Sequence, residues 1–256
     1  MAGASLAALA SLAKAAGAEP PEGRAAIPDV VVYCDSTLVP AMRDLGRLFT
    51  ARTRAPVFVF TAPPTLMLAQ IDRETQNDVL VTTDAAMQEG IRQKLIRGET
   101  RAGAWRNSLA IAGRADQTKS PVAADAAAIK ALLDSGRFAA SDPTGPFTLD
   151  GPAVLDRLGL SPLLEGRMLG APDTTQAAFL VTSGAARLGL LHLTDIRADG
   201  RLAVAATVPE RAYAPIVYTA AVSVVALSPN SQAFVTFLSD PEAAKCWQAD
   251  GLEVVS

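Results

Sequence analysis

The stretch 30–49, V-V-V-Y-C-D-S-T-L-V-P-A-M-R-D-L-G-R-L-F, constrains the fold most. Three valines and a tyrosine read as a short strand buried on both faces, the kind found in parallel sheets. Ser36 and Thr37 then stand where a helix N-cap belongs. Behind them Leu38, Met42, Leu45 and Phe49 recur at helical spacing and mark the face that packs on the sheet. A strand that turns straight into a helix gathers unpaired backbone N–H groups and the positive end of the helix dipole at one point. Such a point holds an anion without any Lys or Arg. The stretch is equally an ordinary strand–helix unit, which any α/β protein contains.

Strand and helix patterns alternate from there on. Residues 57–60 form a second apolar strand, followed by the turn T-A-P-P and a helix over 65–73. Residues 78–82 read as a third strand, with Thr83 and Asp84 capping a helix over 85–96. Three such units in a row argue for a parallel sheet with helices on both faces. Residues 98–107 read as a connection and 108–112 as the next strand. The pattern then restarts. A helix over 123–133 leads to a strand at 138–140 and the turn S-D-P-T-G-P. Further helices are expected at 151–158 and 176–183, the latter capped by Asp173 with Thr174 or Thr175, and strands at 167–169, 188–192 and 202–207. The chain closes with a long apolar strand over 219–227, a helix over 232–238, and a last helix opened by Asp240 and Pro241 and ended at Gly251. One lobe, a crossing to a second, and a return to finish the first would fit this order. A single continuous sheet is the competing layout.

At 256 residues with 50% apolar content, the chain has ample material for a core. A net charge of −3 and the lack of basic runs give no electrostatic reason to expect nucleic acid or an anionic membrane as partner. The Ala-rich start is too short in apolar length to span a bilayer. Ala16-Gly17-Ala18 fits a signal-peptidase site, so residues 1–18 read as an export signal, without its basic region and thus with a start that lies inside a longer signal. An Ala-rich helix or tail is the plain alternative. Cys34 and Cys246 make one disulfide at most or remain two thiols. Two cysteines and one histidine, scattered, do not make a zinc set, and no metal site or cofactor is expected.

Catalytic marks are missing. No serine sits in a Gly-x-Ser-x-Gly elbow, and neither glycine-rich phosphate motif occurs. No enzyme activity is expected. What recurs is hydroxyls at the carboxyl ends of the expected strands: Ser36 and Thr37, Thr82 and Thr83, Thr148, Thr174 and Thr175. In open α/β sheets ligands bind outside those ends. Each hydroxyl reads equally as an N-cap worth about 1 kcal/mol to its own helix.

The segments V-V-V-Y-C-D-S-T-L-V-P-A-M, F-V-F-T-A-P-P-T-L-M-L-A-Q-I and N-D-V-L-V-T-T-D resemble the opening of the periplasmic molybdate-binding proteins. The likeness continues through R-N-S-L-A-I-A, S-D-P-T-G-P, A-R-L-G-L-L-H-L-T-D and F-L-S-D-P-E-A-A-K-C-W-Q-A-D-G, in the family's order. It implies a two-lobed type II periplasmic-binding-protein fold, each lobe a mostly parallel sheet flanked by helices. One lobe would hold 29–105 and 214–256, the other 106–213. The implied function is capture of a small ligand, molybdate or tungstate in the family, between the lobes in the periplasm, for delivery to an ABC importer permease. By the same resemblance Thr37 takes the place of the first binding serine and Pro64 that of the second. Proline there removes a hydroxyl and an N–H, which Thr65 could replace in a reshaped loop. Backbone contacts would fall near Phe147 or Thr148 and at Thr174, and His192 stands where the family has a tyrosine. Asp35 and Asp173, beside these positions, would repel a dianion unless they point away and cap helices. Facing the cleft with His192, they suit a cation or an amine. His192 at its reference pKa of about 6.5 would make binding pH-dependent, or else is a buried neutral ring. The alternatives are therefore the same fold binding a metal species or small organic ligand, or a non-transport enzyme or sensor.

Overall fold

The computed structural model describes residues 29–118, 120–143 and 145–255. The expected export signal lies outside them. Among these residues the chain forms two separate sheets rather than one. The first is built by β1 (Val30–Cys34), β2 (Val57–Thr61), β3 (Val79–Thr83), β4 (Ala102–Asn107), β10 (Ile216–Val222) and β11 (Glu253–Val254), in the order β11-β4-β10-β3-β1-β2. The second is built by β5 (Leu109–Arg114), β6 (Phe138–Ser141), β7 (Met168–Ala171), β8 (Leu188–His192) and β9 (Leu202–Thr207), in the order β7-β6-β8-β5-β9.

Each sheet has a parallel core, β2-β1-β3 in one and β7-β6-β8 in the other. The strands nearest the crossings, β4 and β10 in one sheet and β5 and β9 in the other, pair antiparallel. The chain passes between sheets after β4 and again after β9.

The central strands β1, β3, β5, β6 and β8 are buried at nearly every position because both faces are covered, whereas the edge strand β2 leaves Phe58 and Phe60 exposed. From β1, Val30, Val32 and Cys34 pack with α1 (Val39–Thr53) and with Phe234 and Trp247, which lie on α9 (Ser231–Phe237) and α10 (Pro241–Ala249). Tyr33 faces the other way, onto α2 (Pro64–Asp72) and α3 (Asp84–Arg92). Leu38, Met42, Leu45 and Phe49, the expected face of the first helix, are all buried. In the second lobe Ile111 and Leu190 face α4 (Ala126–Leu133), α5 (Gly151–Arg157) and α6 (Ser161–Leu164). Ala110, Ala139 and Leu191 face α7 (Thr174–Thr182) and α8 (Leu193–Ala198). Among the described residues, no helix is long and apolar enough to cross a membrane.

Two expectations are corrected and one open choice is decided. The stretch 98–107, read as a connection, contains β4, whose Trp105 stacks on Trp247 with ring centroids 4.5 Å apart. Gly103 permits this with φ +74, since a Cβ there would lie 2.3 Å from the Trp105 ring. The last long strand runs over Ile216–Val222 rather than 219–227. It ends where Ser223 donates to the Asn77 carbonyl at 2.7 Å and turns the chain out of the sheet. Cys34 and Cys246 are both free thiols, and burial together with the Asp35 charge pushes the Cys34 pKa up.

Asp78 fixes that turn. Fully buried at the start of β3, it accepts from Val31 N at 2.8 Å through one oxygen. Its other oxygen accepts from Leu227 N at 2.7 Å and Ser228 N at 2.8 Å. Three backbone donors from two distant segments thus meet one carboxylate. Asp78→Ala would take the acceptor from all three, of which the Ser228 N–H is buried, and is expected to lower unfolding free energy by about 2 kcal/mol or more in urea titrations. A loss under about 1 kcal/mol would contradict this account.

Candidate functional site

The carboxyl ends of β1, β7 and β8 meet where the two lobes face each other. Beyond Cys34 the chain does not enter α1 directly. A 3₁₀ turn, Ser36–Leu38, intervenes, and α1 starts at Val39 without a side-chain cap. The expectation that Ser36 and Thr37 cap this helix is therefore overturned. Their hydroxyls turn across to the other lobe, where the 3₁₀ turn lies against α7 and α8. Ser36 Oγ donates to Asp173 Oδ2 at 3.1 Å. The buried Thr37 hydroxyl pairs with that of Thr194 on α8.

The opposite wall comes from α7 and from the junction of β8 with α8. Asp173 caps α7 by accepting from Gln176 N at 2.7 Å, as expected, while its second oxygen receives Ser36. Thr174 opens the helix, where no carbonyl of the same helix reaches its N–H. Its hydroxyl lies 2.7 Å from His192 Nδ1. Thr175 donates to Asp195 Oδ1 at 2.8 Å and lies 3.2 Å from Ser36 Oγ. Asn107, at the end of β4, donates to Thr194 Oγ1 at 2.9 Å and ties the first crossing to the same network. Aspartates cap α4, α5 and α7, while the hydroxyls beside the cleft are left to face it.

The structure thus brings together Asp35, Ser36, Thr37, Thr174 and His192 of the residues singled out from sequence. Asp35 does not cap a helix. Its Oδ1 accepts from Thr82 at 3.0 Å. Pro64, Thr65 and Thr148 form a second group. Pro64 begins α2, and Thr65 is exposed and faces Gly145 of the other lobe, whose Cβ position is 3.4 Å from Thr65 Cγ2. Thr148 N donates to the Gly145 carbonyl at 3.2 Å in that loop. Phe147, beside it, packs across the cleft on the cluster of Tyr33, Met67 and Leu80.

Sequence reasoning gave no role to Thr194, Asp195 or Asn107. The signal was T-D one residue beyond the strand 188–192, but α8 has only six residues, too few to show helical periodicity. Asn107 fell in the supposed connection.

Burial governs the charges. It pushes the Asp35 carboxyl up to about 7, against hydrogen bonds from Thr82 and the Thr83 backbone. Burial likewise raises Asp195 to about 6, with the Thr174, Thr175 and Thr37 hydroxyls opposing the shift. It lowers His192 to about 4, which the Asp173 charge only partly offsets. His192 is therefore a neutral ring at physiological pH, the second of the two readings that its sequence position left open. The titrating groups of the cleft are carboxyls.

The chain matches the family model described as bacterial extracellular solute-binding protein over residues 30–253. It is 27% identical over 228 residues to the molybdate-binding protein ModA of Escherichia coli, covering 88% of this chain and 89% of that one. Among solved structures it is similar to the periplasmic molybdate-binding protein of Azotobacter vinelandii, at 21% identity and TM-score 0.75, covering 89% and 100% of the two chains. It is also similar to Peb3 of Campylobacter jejuni, at 14% identity and TM-score 0.66, covering 88% and 99%. These structural likenesses carry the two-lobed fold.

Two titrations follow. The His192 ring resonances should not move between pH 5 and 8, and a midpoint inside that window would contradict a buried neutral ring. Asp35 binds its proton more tightly folded than unfolded, so its contribution to stability is present below about pH 4 and lost as pH rises through about 7. Asp35→Asn should therefore be more stable than the parent at pH 8, by about 1–2 kcal/mol, with the difference vanishing near pH 4. Equal stability at both pH values would show that Asp35 is well solvated.

Proposed function

The chain belongs to the bacterial extracellular solute-binding protein family, and from that premise we propose that it captures a small tetrahedral oxyanion, of the molybdate and tungstate class, between its lobes. It is a binding component of an ABC importer, and closure on the ligand presents the form that the permease recognises. The lobes would be 29–105 with 214–256, and 106–213, hinged at the two crossings. Export would place the protein in the periplasm. The reading makes the protein a carrier rather than an enzyme.

The observation that carries it is the meeting of Ser36 and Thr37 from one lobe with Thr175 and Thr194 from the other, beside Thr174 at the start of α7. These are hydroxyl donors, joined by the first turn of α7, and an oxyanion held by them needs no counter-cation. By the sequence resemblance Thr37 and Thr174 would take family positions, and the E. coli relative is named for binding molybdate. Thr65 is the first residue after two prolines with an N–H and a hydroxyl to offer, so it would contribute on the α2 side.

Asp35, Asp173 and Asp195 favour a second reading, in which the cleft takes an amine-bearing organic ligand. Among the described residues no three His, Cys, Asp or Glu side chains come together as a metal set. A thermal-shift screen of molybdate, tungstate, sulfate and phosphate, then of small amines and organic acids, separates the readings. A ligand at 100 times its Kd adds about 2.7 kcal/mol of stability, which is readily seen. Molybdate or tungstate should raise the melting temperature, and Thr37→Ala should weaken that binding about tenfold or more. A rise with amines alone would replace the oxyanion by the second reading.

A further inference from the structure

Asp195 lies between the groups that would hold the ligand. Its side chain is 3% exposed and stands in the first turn of α8, with Thr175 donating to Oδ1. Oδ2 is buried and has no hydrogen-bond partner among the described residues. The Thr174 hydroxyl lies close enough to temper the Asp195 charge but is engaged with His192 Nδ1, which itself stands 3.8 Å from Oδ2. The Thr37 hydroxyl is engaged with Thr194. A buried carboxylate oxygen left alone is costly, and native proteins satisfy such groups through a proton, a water or a ligand. Here the atom sits among Thr37, Thr174 and Thr175, the residues assigned to the oxyanion.

Resting on the oxyanion reading, we propose that Asp195 is a ligand-contacting residue whose Oδ2 shares one hydrogen with the bound anion, so that the cleft captures its oxyanion together with a proton. An ionised Asp195 beside a dianion would repel it in a site from which water is largely removed. With a proton between them, the repulsion becomes a donor–acceptor contact of the short, charge-assisted kind. The proton arrives from solvent and resides on Asp195 when the anion is fully ionised, as molybdate and tungstate are. An anion that keeps its own hydrogen, such as hydrogen phosphate, would supply it instead and take up none.

The charges around Asp195 act in one direction. Asp173 at the α7 cap adds negative potential, and Asp35 at the end of β1 brings no positive charge. His192 at the end of β8 stays neutral, and Tyr218 of β10, buried behind Asn107, holds its proton. The 3₁₀ turn over Ser36–Leu38 brings no charge, and Arg114 of β5 is paired with Asp116 at the far end of its strand. None of these groups neutralises Asp195 once an anion enters, and uptake of a proton does. Without ligand its carboxyl titrates near 6, so at pH 7–8 it is mostly ionised and must gain the proton on binding.

The test is calorimetry of the protein with tungstate between pH 5 and 8, in two buffers of different ionisation heat. The expected result is uptake of about one proton or more per tungstate at pH 7–8, with Kd rising up to about tenfold per pH unit above 6. In Asp195→Asn that uptake should drop by about one proton and the pH slope should flatten, because the amide supplies a permanent donor. Asp35→Asn should keep the share that belongs to Asp195. Should the Asp195 variant fail to fold, the Asp35 variant decides. Uptake lost in Asp35→Asn assigns the proton to Asp35 and overturns the proposal. Tungstate binding without proton uptake also overturns it but leaves the oxyanion reading standing. No binding of tungstate or molybdate at any pH overturns both.

Discussion

The hydroxyls of Thr37 and Thr194 meet on the buried floor of the cleft, and the placing of the other polar groups there follows from that contact. Thr37 reaches it because a 3₁₀ turn, rather than an immediate helix, follows β1. Thr194 is held from behind by Asn107 at the first crossing between lobes. Around this pair Ser36 meets Asp173 and Thr175 across the cleft, and Thr175 is held in turn by Asp195 of its own lobe. Phe147 adds an apolar contact on the α2 side. When such a cleft opens, water can take the place of these partners, so the polar contacts that close it cost little to exchange. That suits a protein whose task is to open, take a ligand and close again.

The chemistry of the cleft differs from a simple oxyanion nest in its carboxyls. Asp173 has a structural duty at the cap of α7. Asp35 and Asp195 have none of that kind, and burial makes both reluctant to ionise. A site with hydroxyl donors and protonatable acids can hold an anion in acid and release it as pH rises. The single histidine, which the sequence presented as the natural pH element, takes no part because its ring is buried against Thr174.

Much of the fold was legible because strands such as β1 and β3 are apolar at successive positions, which only a sheet covered on both faces explains. β4 was not, since its small residues and Arg106 show no period and its one anchor, Trp105, needs Trp247 from the far end of the chain. The end of β10 was equally hidden, because the apolar run continues while the chain bends around Asp78. At the site, hydroxyls at strand ends marked the right region. Sequence did not tell which would cap a helix, and the structure gives that duty to aspartates. Asp195 escaped because a six-residue helix carries no periodic signal.

The most direct measurement is a crystal structure grown with tungstate, with the metal located by its anomalous scattering. The account predicts a tungsten peak between the lobes, with oxyanion oxygens in hydrogen-bond contact with the Thr37 hydroxyl and the Thr174 N–H. A peak elsewhere on the protein, or a cleft closed on an organic ligand without tungsten, would contradict it.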